Sequence, residues 1–87
     1  MCARPGGRAG PALERDRDWP AAIDVYRRGL EADNLAESLY RGLMRALAAT
    51  GEHAEALSVY RRCRELLSIV LGRKPAPETE AIRATLA

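Results

Sequence analysis

Phenylalanine is absent from this 87-residue chain, and tryptophan, histidine and lysine occur once each. The single histidine, His53, leaves no imidazole pair for acid/base work and no His-rich metal cluster, so neither catalysis nor a metal or other cofactor is expected. Only two cysteines are present, Cys2 and Cys63, in unlike contexts that make no disulfide framework. No apolar run is long enough to span a bilayer, which excludes a membrane partner. The arginines near the N-terminus are followed by no apolar stretch, so no secretory leader is read and a cytoplasmic setting is expected. Charge of one sign is also missing. Fourteen basic residues stand against twelve acidic ones, a net +2 far from the balance of a dedicated nucleic-acid binder.

What is present is alanine and leucine, sixteen of the first and eleven of the second, with only three Ile and three Val. That composition favours helices over strands, and the fold class read from it is all-α. A 9.5 kDa chain forms one small domain and buries only about 60–65% of its unfolded surface, so its stability is marginal. The segment 1–17 collects Gly and Pro in its first eleven residues and has one large apolar residue, Leu13, in 12–17; it is expected to be a disordered tail with at most a helical turn. The domain proper is then 18–87.

Apolar periodicity and stop signals place about four helices, at 18–33, 35–50, 52–71 and 77–86. Asp18 is an acceptable N-cap ahead of Pro20. Asn34 and Glu37 read as a capping box for the second helix, and Gly51 as its C′ residue. In the third, Ala56, Tyr60, Cys63, Leu67 and Val70 form one stripe, widened by Leu57, Leu66 and Leu71. Gly72 and Pro75 end it. Pro77 opens the last helix, with Glu78 and Glu80 at its positive end and Ile82 and Leu86 on its apolar side.

Two segments repeat. Ala22, Ile23, Val25, Tyr26, Arg27 and Arg28 align with Ala56, Leu57, Val59, Tyr60, Arg61 and Arg62, each pair at the same separation. A fixed period of about 34 residues is that of helical hairpins that must stack to bury their faces. The pattern resembles the tetratricopeptide repeat: Tyr40 and Leu43 fall at its first-helix aromatic and Leu, and Ala56, Tyr60 and Cys63 at its second-helix Ala, aromatic and small residue. Its first-helix Gly and Tyr are here Met44 and Leu47. Ala22, Leu30, Tyr40, Leu43, Leu47, Ala56, Leu57, Tyr60, Cys63 and Leu67 are the expected repeat-packing core.

A narrower resemblance spans about 19–87. It is carried by Trp19-Pro20-Ala21-Ala22-Ile23, by Tyr26-Arg27-Arg28-Gly29-Leu30, by Asp33-Asn34-Leu35-Ala36-Glu37 and, most specifically, by Leu71-Gly72…Pro75-Ala76-Pro77-Glu78-Thr79-Glu80. Together these resemble the bacterial transcriptional activator domain, the helical-repeat module of antibiotic-regulatory-type activators. The resemblance implies a non-catalytic module acting on transcription through protein contacts: a regulator domain, the transcription machinery, or a second copy in a homo-oligomer. The family's winged-helix DNA reader lies before this module, and the stretch ahead of Trp19 is too short to encode one. The chain is therefore expected to lack its own DNA-binding domain, either as a piece of a larger regulator or as a stand-alone remnant.

Two surfaces are candidates for contact. With half of the first hairpin taken as missing, the inner face of helix 18–33 should lie open as an apolar patch of Trp19, Ile23 and Tyr26. Arg27, Arg28, Arg61, Arg62 and Arg64 recur on helices and form a candidate basic stripe, which offers the alternative of direct nucleic-acid binding. Interleaved Glu31, Glu37, Glu55 and Glu65 favour a solvated face of mixed charge instead.

Overall fold

A computed structural model describes residues 9–86, and every regular element in them is helical. Helices α1 (Gly10–Arg15), α2 (Trp19–Ala32), α3 (Glu37–Ala49), α4 (His53–Leu66) and α5 (Pro77–Ala84) follow one another, and α4 runs on into a π-helical segment, Leu67–Leu71. The all-α repeat architecture is as expected, and the four longer helices fall close to the bounds read from periodicity. α1 and α2 make one hairpin and α3 and α4 a second, while α5 packs mainly on α3.

The repeat period governs the hairpin turns as well as the helices. At the first turn the Asp18 amide donates to the Leu13 carbonyl (2.9 Å) and Arg17 to Glu14 (3.0 Å). At the second, Glu52 donates to Leu47 (2.8 Å) and Gly51 to Ala48 (3.0 Å). Arg17 and Gly51 hold equivalent positions, and both have positive φ, 58° and 84°. This is the left-handed C′ conformation that satisfies the last carbonyls of a helix.

The tail differs from expectation. Its first part, 1–8, lies outside the described residues, but Gly10–Arg15 is a packed helix rather than a disordered stretch: Leu13 is buried in the main cluster with Ala22, Tyr26, Leu43, Met44, Leu47 and Ala56. Leu13 stands one period before Leu47, and Gly10 one period before Met44, so α1 is the second half of the helix taken as missing. Its burial is worth more than its weak intrinsic helicity costs, since a buried Leu contributes about 1.5–3 kcal/mol.

The capping box is a second difference. Asn34 and Leu35 lie in a turn where the Asp33 carboxylate accepts the Leu35 amide (3.1 Å), and α3 starts only at Glu37, with Ala36 as N-cap. The Glu37 carboxylate turns instead to α5. It accepts the Ala76 amide and the Thr79 hydroxyl, each at 2.6 Å, at that helix's positive end. Thr79 is fully buried there.

The stripe of α4 stops at Leu67, which with Cys63 packs on Tyr40. Val70 and Leu71, expected to continue it, are exposed. The backbone of Leu67–Leu71 approaches no helix but α4, so Val70 and Leu71 have no helix opposite them. Gly72 (φ 64°) then closes the helix, the Arg73 amide donating to the Leu67 carbonyl.

Candidate functional site

The phenol of Tyr26 is the hinge of the first hairpin. Its ring lies between Gly10 of α1 and Gly42 of α3, where a Cβ on either glycine would overlap the ring. Its hydroxyl donates to Glu14, whose two oxygens also accept from Nε and Nη2 of Arg45, at 2.8 and 3.0 Å. Burial, and then the hydrogen bond to Glu14, push the Tyr26 pKa up to about 12. Burial alone would raise Glu14, but the bonds from Arg45 and Tyr26 outweigh it and hold the carboxyl below its usual range.

This arrangement corrects the expected apolar docking face. Tyr26 is buried beneath α1, and Trp19 and Ile23 are half-buried against the core. The face is closed because Leu13 and Gly10 occupy the space expected to be empty. A signal for this was present: the repeat extends to Gly10, Ala12 and Leu13, which precede Met44, Ala46 and Leu47 by one period.

Ala22, Tyr40, Leu43, Leu47, Ala56, Tyr60, Cys63 and Leu67 are buried, and Leu30 and Leu57 are half-buried at the margins. Tyr60 repeats the role of Tyr26 one unit on: its hydroxyl donates to Glu80 of α5 (2.6 Å), and Arg83 lies over its ring at 5.8 Å. Burial first, then Glu80, raises its pKa. Burial also lifts the Cys63 thiol to about 11, a structural rather than a reactive thiol. Glu37 is drawn down: burial opposes ionisation, but Thr79, the Ala76 amide, Arg41 and Arg73 together outweigh it.

The arginines do not form one stripe. Arg27 pairs with Glu55 (3.2 Å) and Arg28 with Asp24 (3.1 Å) on exposed flanks. Arg62 borders, with Arg27, a shallow cleft over Tyr40 and Leu43. Arg61 and Arg64 instead open onto a different concavity, beside Arg73 and Lys74 and the exposed Ile69. Neither Arg73, Lys74 nor Ile69 stands out in the sequence. Ile69 joins the other two on the continuation of α4, and Arg73 and Lys74 follow the left-handed Gly72 that ends it.

No group of three or more potential metal ligands occurs among the described residues, and no described helix is long and apolar enough to cross a membrane. A family model for the bacterial transcriptional activator domain matches residues 7–87, nearly the whole chain. The chain belongs to that family. As a bacterial transcriptional activator domain it is a transcription-regulator module, and the match takes in α1, which the shorter motif-based resemblance omitted. No curated protein and no solved structure matches the domain.

Proposed function

We propose that this bacterial transcriptional activator domain is a non-catalytic protein-interaction or oligomerisation module, working in the cytoplasm and acting on transcription through protein contacts without DNA contacts of its own. The observation that carries this reading is the outward-facing end of the third long helix. The segment 68–74 is exposed without a break and includes Ile69, Val70 and Leu71. A partner that covered them would remove from water the main apolar surface the fold leaves open. The raised pKa values of Tyr26, Tyr60 and Cys63 support a structural, unreactive set of titratable groups.

Direct nucleic-acid binding is the competing reading, favoured by the clustering of Arg61 and Arg64 with Arg73 and Lys74. Sedimentation of the full chain, alone and mixed with purified bacterial RNA polymerase, separates the two when paired with titration of a labelled duplex at low salt. The protein-contact reading expects a complex with the polymerase or with itself, and no duplex binding at micromolar protein. A chain that stays monomeric, ignores the polymerase and binds duplex in a manner abolished by replacing Arg61 and Arg62 with Ala would overturn it.

A further inference from the structure

The concavity at the end of α4 combines positive charge with exposed apolar surface. It encloses about 750 Å³, and its lining includes Arg61, Arg64, Arg73 and Lys74 against one carboxylate, Glu65. That is a local excess of three positive charges on a chain whose net charge is +2. Arg73 is shared with Glu37 at 3.5 Å, while no ion pair within 4 Å among the described residues engages Arg61, Arg64 or Lys74. Ile69, 73% exposed, stands in the same hollow, and Val70 (55%) and Leu71 (48%) continue the apolar surface around the π-helical turn.

We propose that this hollow is the docking site for an acidic amphipathic helix of a protein partner. The inference rests on the protein-contact reading above and names its surface and chemistry. Arg61 and Arg64 lie one helical turn apart on α4, and Ile69 follows at its end, so cations and apolar surface form one ridge. A partner helix with an apolar stripe covers Ile69 and Val70, while its flanking carboxylates meet the guanidinium groups in charge-assisted hydrogen bonds. A nucleic-acid backbone would satisfy the cations but leave three large apolar side chains in water. A second copy docked through the same patch would face these four cations and one carboxylate with the same set, because a two-fold contact joins the same surface on both copies.

Fluorescence anisotropy with the full chain tests this, using a labelled synthetic peptide of about 18 residues, long enough to span about 27 Å as a helix. One peptide carries Leu at helical spacing with Glu on the flanks, and a second replaces each Glu by Lys. The Glu peptide is expected to bind at least about tenfold more tightly than the Lys peptide, and to lose about tenfold with Ile69→Ser or with R61A/R64A. Raising salt from about 50 to about 300 mM is expected to weaken it further. All three positions are exposed, so the melting curves of the variants should match that of the parent chain. Equal binding of the two peptides, binding untouched by these variants, displacement of the Glu peptide by a short DNA duplex, or a dimer that Ile69→Ser dissolves would each overturn the proposal. Capture of polymerase by Ile69→Ser as well as by the parent chain would remove this site yet leave the protein-contact reading standing; a parent chain that contacts neither peptide, polymerase nor itself would remove both.

Discussion

Arg17 and Gly42 show how single residues set the local terms of this fold. Arg17 occupies the left-handed position that Gly51 fills one period later, and a side chain there costs about 1–2 kcal/mol. Its own side chain is exposed. Arg17→Gly is therefore expected to stabilise the chain by about 1 kcal/mol after the entropy cost of glycine, raising the thermal midpoint by about 4–8 °C. A midpoint unchanged or lowered in a thermal melt would contradict the equivalence of the two turns. Gly42 works in the opposite sense. An added methyl meets the Tyr26 ring, which is also packed closely against Gly10. Overpacking of about 1–3 kcal/mol exceeds the gain of up to about 1 kcal/mol from replacing helical Gly by Ala. Gly42→Ala should lower the urea midpoint, and the loss should shrink when Tyr26 is replaced by Leu in the same chain.

Between elements, a half-buried carboxylate, Glu14, and a buried one, Glu37, do the joining. Glu14 ties α1 to both α2 and α3, and Glu37 ties α3 to the start of α5. Both pKa values lie below the ordinary carboxylate value of 4.5. The folded state thus favours the ionised form more than the unfolded state does. The stability this adds is complete above the unfolded value and is lost as pH falls through the lower folded values. Thermal midpoints should be level near neutrality and fall on acidification below about pH 4.5, with the decline blunted in Glu37→Gln and in Glu14→Gln. A profile in those two variants as steep as in the parent chain would show that other groups carry the acid sensitivity. The role of Glu37 was hidden in the sequence, where spacing from Asn34 pointed to a local cap. Its real partners, Ala76 and Thr79, are far along the chain, and only the packing of α5 on α3 brings them within reach. α1 was missed for a related reason. A short segment beginning Gly-Pro has little helical tendency alone, and it becomes a helix because Leu13 gains a core.

Across the whole molecule, stability depends on how each hairpin is closed by the first helix of the next. Tyr60 is the joint between α4 and α5, as Tyr26 is between α2 and its two neighbours. Tyr60→Ala should cost about 3–5 kcal/mol, which in so small a domain approaches the total stability. Circular dichroism should then show a largely unfolded chain at physiological temperature. A cooperative melt at the parent midpoint would rule out packing through this tyrosine.

The sequence by itself determined the helical class and the repeat period, because apolar spacing and glycine stops act over single turns and need no distant partner. Family membership was legible through a resemblance instead, carried most specifically by the Leu71–Glu80 motif. Only the tertiary structure decided which faces remain open. Tyr26 and Val70 carry similar apolar patterning, yet one is buried under α1 and the other projects past the end of its neighbours. Exposure depends on what the chain places opposite a side chain, and that is fixed by the lengths and offsets of the packed helices rather than by the residue or its nearest neighbours.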